Sequence, residues 1–530
     1  GSDESGHKDS GDRLWAWCFH ASRFTVFHID PSRGSEVLKA ILTRLRLTSG
    51  TLCGYPTASI RNRVGKSGRF AFGVGQAGLP VSRGTAVIQT PLGKSFVMMT
   101  KRSVRWCLFV LLLSAKATFA QDAWPQFRGP TGDGLATVPG DSQTRGLPVR
   151  WSETENVAWK TAIPYQGWST PVVMDGQVWL TTATPDGHDF FAICVDAATG
   201  EIRFNQRLFH ADNPEPLGNP MNCYASPSPA IEPGRVYVHF GSYGTACLDT
   251  KTFEVLWKRD DLPCRHFRGP GSSAILFENL LVLTMDGVDV QYVVALDKAT
   301  GRTVWKTDRT AEWNDLDENG KPRDEGDLRK AYSTPLVVDV NGTRQMLTVG
   351  AKAVYGYDPA TGRELWKIKT PGFSGAAMPI YGRGLAFMIS GFGKTELMAI
   401  RPDGRGDVTE THIVWKTGSM VPQTPSPVLV GDLFFMINDT GTVTCLEAAT
   451  GKQVWRERMR GNFAASLLYG DGNIYCFSRE GRATVFKAAR QYELVSTNTM
   501  ASGFMASPAV SGKALFLRTK EHLYRIESNR

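Results

Sequence analysis

From about residue 155 onward, apolar and polar residues alternate in short runs broken by turn residues. Ser169-Thr-Pro-Val-Val-Met is followed by Gly176-Gln-Val-Trp-Leu-Thr, and Ser226-Pro-Ser-Pro-Ala-Ile by Arg235-Val-Tyr-Val-His. Ser426-Pro-Val-Leu-Val and Leu433-Phe-Phe-Met repeat the arrangement. A period of two with Gly and Pro at the breaks predicts half-buried β-strands joined by tight turns. Between these runs a phrase recurs, with an acidic residue, a Thr-Gly turn and then an aromatic residue. It reads Asp196-Ala-Ala-Thr199-Gly200 to Phe204, Asp249-Thr-Lys-Thr252-Phe253 to Trp257, Asp297-Lys-Ala-Thr300-Gly301 to Trp305, Asp358-Pro-Ala-Thr361-Gly362 to Trp366 and Glu447-Ala-Ala-Thr450-Gly451 to Trp455. Weaker copies end at Trp415 and Val495, and the spacing between copies runs from 40 to 61 residues. Each unit therefore holds about four short strands, the signature of a propeller blade.

The phrase has a physical logic. The acidic residue and the Thr hydroxyl accept bonds from turn N–H groups, and Gly adopts the positive φ that other residues resist. The large aromatic face on the outer strand can cover the neighbouring unit. A lone four-stranded sheet cannot bury both faces, so the units must stack around an axis. The last unit supplies three strands, at Ala506–Val510, Ala514–Arg518 and His522–Ile526, and lacks a fourth. An orphan strand, Asn156-Val-Ala-Trp159-Lys-Thr161, has the missing character and would close the ring. The expectation is an all-β, eight-bladed β-propeller of four-stranded blades whose last blade is closed by an N-terminal strand. Seven blades is the alternative if the irregular unit around 372–418 is not a blade.

Composition is that of a globular chain: 42% hydrophobic, 21% charged and 10% aromatic over 530 residues, with 54 Gly and 29 Pro for the turns. The net charge of +9 points at first to nucleic acid. Its location removes that reading: residues 121–530 carry 43 Lys and Arg against 45 Asp and Glu, so the basicity lies upstream of the repeats. Residues 1–98 show no sustained period and are expected to be a non-globular upstream segment, not native protein, with translation starting at Met98 or Met99. Residues 99–120 join a cationic start (Lys101, Arg102, Arg105) to a short apolar run and a Thr118-Phe-Ala120 exit, the pattern of a secretory signal peptide cleaved after Ala120. A run this short also suits a buried core helix, but the cationic flank and small-residue exit favour the signal. Residues 121–154 form an entry segment and 155–530 the propeller. No apolar run reaches the roughly 18 residues of a membrane-spanning helix. The expected protein is exported to the periplasm or cell envelope, a monomer with no transmembrane segment in its mature form and no nucleic-acid partner.

The Asp-Ala-Ala-Thr-Gly-x-x-x-Trp phrase resembles the repeat of pyrroloquinoline quinone (PQQ) dehydrogenases and of the outer-membrane assembly lipoprotein BamB. Trp124-Pro-Gln-Phe-Arg-Gly-Pro130 resembles the entry segment of exported PQQ-like propellers of planctomycete-type bacteria. The resemblance implies a propeller that serves as a binding or protein-interaction scaffold in the cell envelope, with protein, small-molecule or sugar ligands at its mouth. It also admits a PQQ-dependent oxidoreductase acting on an alcohol or sugar, and a carbohydrate-binding propeller. No cofactor is assured; PQQ and Ca²⁺ are the candidates. The vicinal disulfide of the alcohol-oxidising relatives has no counterpart among the nine cysteines, and no Cys-x-x-Cys-His attaches haem. No catalytic residue can be assigned, which weighs against an enzyme.

Loops leading into inner strands line the mouth of a propeller. They supply Asn222, Tyr224, His266, Arg268, Asp289, Arg329, Lys330, Tyr332 and Gln423 as candidate ligand-binding residues, with cations and tyrosines suited to an anionic or sugar-like ligand. The competing reading is that these groups serve loop backbone. Asp315, Asp317, Asn319 and Glu325 match the first half of a calcium loop, with the closing acid one place early; a solvated acidic loop is the stronger reading. Cys194, Cys247 and Cys445 share one repeat position and read as small buried hydrophobes. Cys223 and Cys264, in neighbouring loops, are the disulfide candidate, with two free thiols equally open.

Overall fold

The computed structural model describes residues 123–141 and 144–528, together with the backbone of three strands near the start of the chain. Those strands, Ser2–Asp9, Asp12–Ala21 and Phe24–Ile29, pair into a small antiparallel sheet of their own. The segment expected to be a signal peptide lies outside the described residues.

Eight antiparallel sheets follow, each built on four blade strands, consecutive in all but the last. The first blade runs from Val172–Met174 through Gln177–Ala183 and Asp189–Asp196 to Ile202–His210. The second spans residues 230–259, the third 275–308, the fourth 336–369, the fifth 380–417, the sixth 428–458 and the seventh 468–499. The eighth joins Ala509–Ser511, Ala514–Arg518 and His522–Ile526 to Val157–Ala162, with Trp159 opposite Arg525 and Thr161 opposite Leu523. Ring closure by the orphan strand is thus as the sequence pattern requires. The irregular unit is the fifth blade. Its long 401–412 loop places Gly406–Asp407 parallel to Glu364–Lys369, adding a short edge to the fourth blade.

The blades are stapled by the recurrent phrase. In the first blade Asp196 accepts the N–H groups of Ala198 and Thr199, both at 2.8 Å, and Gly200 turns the chain at φ +79°. At four of the eight boundaries the outer-strand Trp of the preceding blade lies on the turn glycine. A Cβ on Gly200 would meet Trp159 at 2.7 Å, one on Gly301 would meet Trp257 at 2.6 Å, and one on Gly451 would meet Trp415 at 2.6 Å. The same indoles donate across the gap, Trp159 Nε1 to Ala197 O (3.1 Å), Trp257 to Lys298 O (3.0 Å) and Trp415 to Ala448 O (3.0 Å). A β-bulge precedes this outer-strand position in all eight blades, and in seven of them the residue there is aromatic and meets the neighbouring blade.

Four boundaries depart from this rule, among them the sixth–seventh, where Trp455 Nε1 donates to Ala489 O (2.9 Å) beside Tyr492 with no turn glycine, and the seventh–eighth, where the outer strand Leu494–Thr499 has no aromatic residue. The second blade has Phe253 where others have Gly, and Phe204 of the first blade stacks on it at 5.2 Å. There Trp179 Nε1 donates to Gln177, whose amide donates on to Thr250 O of the second blade. Between the fourth and fifth blades a similar relay runs from Trp366 Nε1 to Gln345 Oε1 (2.8 Å) and from Gln345 Nε2 to Pro402 O (2.9 Å). The three repeat-position cysteines are buried, Cys247 opposite Trp257 and Cys445 opposite Trp455, and burial pushes their thiols up to about 12.

The staple separates two glycine substitutions. Gly234 has a similar positive φ but open space around it, so Gly234→Ala carries only the left-handed backbone cost of about 1–2 kcal/mol. Gly301→Ala adds a clash with the Trp257 ring, and about 1–3 kcal/mol more is expected. Denaturant unfolding of the two variants checks this; equal losses would show that the Trp–Gly contact does not hold the blades.

Candidate ligand site at the propeller mouth

Inner strands of a propeller leave an unpaired edge facing the axis. The entry segment covers several of these edges. Trp124 exchanges both backbone bonds with Val173 of the first blade (2.8 and 2.9 Å), and Pro125 O accepts from Ile231 N of the second (2.8 Å). Further on, Gly134 O and Ala136 N pair with Tyr469 of the seventh blade, and the Asp471 carboxylate takes the N–H groups of Arg145 and Leu147 at 2.8 Å each. Between these anchors the Arg128 guanidinium is wholly buried and donates to the carbonyls of Ser426, Pro427 and Asp133. Burial without a carboxylate partner pulls its pKa down to about 10. The segment so crosses the ring, and Phe127 forms part of the lining of an axial cavity of about 350 Å³.

Hydroxyls belt the cavity. Ser or Thr hydroxyls just before the inner strands accept the N–H of their counterpart in the preceding blade: Thr170 N to Ser228 Oγ, Ser228 N to Ser273 Oγ and Ser273 N to Thr334 Oγ1, all at 2.9 Å. The belt resumes from Met378 N through Ser426 and Ser466 to Ser507. Met378 breaks it by carrying no hydroxyl. Thr170 Oγ1 has no partner.

At the mouth, Arg268 grips Asp327 with Nε and Nη2, both at 3.2 Å, and Lys330 Nζ reaches the same carboxylate. Two cations against one carboxylate leave the wall with a positive excess. Lys330 lies between the Phe267 and Phe373 rings, 5.8 Å from each, and burial together with the Arg268 charge lowers its pKa to about 7. Asn222 Nδ2 donates to Arg268 O (2.7 Å) and Pro270 O (3.1 Å), fixing the loop that carries the arginine. Gln423 and Tyr332 complete the part of the site expected from sequence. The Tyr332 hydroxyl and Trp168 Nε1, both buried and in the lining, have no partner.

Other candidates lie elsewhere. Tyr224 is buried edge-on to Phe190 and donates its hydroxyl to Glu215 O (2.8 Å). His266 is buried and accepts the Ser242 N–H on Nε2 (3.1 Å). Asp289 accepts the Arg265 N–H (2.7 Å), and Arg329 is held by Asp315 at 2.9 and 2.6 Å. That ion pair occupies the first oxygen donor of the calcium-like loop, and Asp317 caps the N–H groups of Asn319 and Lys321. Asn319 and Glu325 are exposed. Among the described residues no three His, Cys, Asp or Glu side chains gather as a metal site. Cys223 and Cys264 are free thiols, not a disulfide: Cys223 Sγ contacts Ser226 Oγ (3.4 Å) and Cys264 Sγ contacts His266 Nδ1 (3.6 Å). Sequence reasoning missed Phe127, Trp168, Asp327, Phe373 and the hydroxyl belt. The Ser/Thr-Pro pairs at 170, 228, 334, 426 and 507 were its visible signal.

Burial lowers His239 to about 3 and His266 to about 4, against about 6.5 when unfolded. Both stay neutral in the fold while the unfolded chain takes up protons, so stability falls as pH drops from about 6.5 toward 4. Each histidine contributes a slope of up to about 1.4 kcal/mol per pH unit in that window. Urea midpoints at several pH values check it, with His266→Gln expected to lose its share of the slope; a flat profile above pH 4.5 would contradict it.

Solved structures of similar fold include a europium-containing methanol dehydrogenase at 10% identity (TM-score 0.57, 75% of this chain and 89% of that one). The quinohemoprotein alcohol dehydrogenase of Comamonas testosteroni follows at 13% identity (TM-score 0.56, 78% and 82%), and BamB of Moraxella catarrhalis at 14% (TM-score 0.48, 70% and 99%). The first two share the fold. A hard cation such as the europium named for the first does not fit this cavity, because such ions take several oxygen ligands and the lining offers one carboxylate, already committed to Arg268 and Lys330. No curated protein sequence matches the chain. A family profile does match, over residues 150–307 and 289–529, which together cover all eight blades. The chain belongs to the PQQ-like β-propeller family described as outer membrane protein assembly factor BamB.

Proposed function

We propose that the protein is an exported propeller of the cell envelope that works as a binding and protein-interaction platform, its mouth cavity receiving an anionic, acceptor-rich group of a ligand or partner. The observation that carries this reading is the set of unpartnered groups in the cavity wall, Trp168 Nε1, the Tyr332 hydroxyl and Thr170 Oγ1, beside the Arg268–Lys330 pair. A buried donor left unpaired costs about 1–3 kcal/mol, and a ligand acceptor would recover that. The signal-like segment at 99–120 supports export, and no helix among the described residues is long and apolar enough to cross a membrane.

The cation pair also favours a second reading. PQQ is a flat tricarboxylate whose charges would meet Arg268 and Lys330, while Trp168, Phe373 and Phe392 offer flat faces. No redox step follows from these residues. A sugar ligand is the third occupant to test, since indole faces and hydroxyls suit it.

Calorimetric titration of the full chain with PQQ, neutral and acidic oligosaccharides, and peptides ending in a free carboxylate separates these readings. The platform reading expects a carboxylate peptide to bind, and Arg268→Gln to weaken it about tenfold or more. PQQ retained after washing, with alcohol turnover to an artificial electron acceptor, would overturn it in favour of the oxidoreductase. Sequencing the exported protein is expected to give Gln121 as its first residue; an end upstream of Met98 would defeat the export signal.

A further inference from the structure

A second cavity, of about 240 Å³, opens at the boundary of the third and fourth blades and shares no lining residue with the mouth. One wall is the start of the insertion after the third blade, and the other is the outer strand Glu364–Lys369 of the fourth. Lys367 and Lys369 project from the same face of that strand, because alternate residues do so and Ile368 between them is buried. Lys352 joins them from the turn before Ala353–Tyr357.

The charges do not balance. Lys352 Nζ donates to Pro371 O (3.1 Å), and Lys367 Nζ donates to Thr310 O and Oγ1 (3.0 and 3.1 Å), all neutral acceptors. Lys369 shares Glu312 and Asp407 at 3.4 Å each. Glu312 lines the cavity and Asp407 borders it through Lys369, so three ammonium groups face two carboxylates. Ammoniums gathered around one pocket repel one another, and a bound oxyanion relieves that repulsion. Thr370, which is buried in the lining, has a hydroxyl with no hydrogen-bond partner.

An aromatic wall completes the site. The Trp313 ring meets the Arg329 guanidinium at 5.8 Å, and Arg329 is itself clamped by Asp315. The acidic loop that looked like half a calcium site thus holds Trp313 in place through Arg329. The volume exceeds a lone phosphate's need: it corresponds to about eight waters at roughly 30 Å³ each.

We propose that this side pocket binds the oxyanion group, carboxylate or phosphate, of a small acidic sugar whose ring lies against Trp313. The lysines take the oxyanion and the indole takes the ring. Binding weakens with salt, since the ammonium groups are partly exposed.

Calorimetric titration of the full chain with glucuronate, glucose 6-phosphate, inorganic phosphate and neutral glucose tests this. One or both acidic sugars are expected to bind, glucose not at all, and the double substitution Lys352→Gln with Lys367→Gln to weaken binding about tenfold or more. Trp313→Ala should reduce sugar binding toward that of inorganic phosphate, with Trp313→Phe keeping most of it if the alanine variant unfolds. No heat with any acidic probe, glucose binding as well as glucuronate, phosphate binding as tightly as glucose 6-phosphate, or an unaffected lysine double variant would each overturn the proposal. Loss of the signal in Arg268→Gln instead would move the bound sugar to the mouth and overturn it as well.

Discussion

The structure depends on an aromatic contact between neighbouring blades, which at four of the eight boundaries is an indole laid on the turn glycine of the next blade. A four-stranded sheet twists, has two faces and cannot cover either alone. The glycine removes a side chain where the neighbouring ring must approach, and its positive φ lets the turn carbonyl face the indole N–H. Packing and hydrogen bonding are therefore satisfied at one point, as with Trp257 over Gly301 and its bond to Lys298 O. Where the glycine is missing the ring is held differently, by Phe204 stacked on Phe253 or by the glutamine relay from Trp366. The constraint survives while the residues that meet it change.

The same geometry creates the site. Stapling at the rim points the inner strands at an axis where their edges have no sheet partner, and a buried unpaired backbone edge is costly. The entry segment answers this at the first, second and seventh blades, and the Ser and Thr belt answers it between blades. What remains is a cavity whose wall is polar by necessity. Its unpartnered donors, Trp168 Nε1 and the Tyr332 hydroxyl, are the places where the fold leaves this demand unmet.

The ring was legible in the sequence because its signal is local and repeated. Asp, Thr, Gly and Trp fall within one turn and one strand, so each copy can be read alone, and the orphan strand at Trp159 could be matched to a strand more than three hundred and fifty residues away. The mouth was half legible. Arg268, Lys330, Tyr332, Asn222 and Gln423 line it as expected, because a loop entering an inner strand must pass the axis. Tyr224 and His266 sit in the same kind of loop and turn inward instead, one to fill the space above Gly187 and the other to take the Ser242 N–H. Which way a loop side chain turns depends on neighbours from another blade, and no local pattern encodes that. Arg329 and Asp315 were read as belonging to different sites, whereas they neutralise each other.

Membership of a propeller family fixes the frame but leaves the chemistry to a few loop positions. A hard metal ion needs several carboxylate or carbonyl oxygens free to turn toward it. In this cavity Asp327 is the one carboxylate, and it faces two cations, so the local field favours an anion over a cation. Reversing that preference would take the removal of Arg268 or Lys330 and the arrival of further acids on neighbouring blades, changes that the staple at the rim would not feel. Rim and mouth are thus separable. Ring packing at the rim couples each blade to the next, whereas the mouth loops can exchange charge without touching those contacts. This separation lets the same frame carry a methanol dehydrogenase in one protein and a cavity with a single, already paired carboxylate in this one.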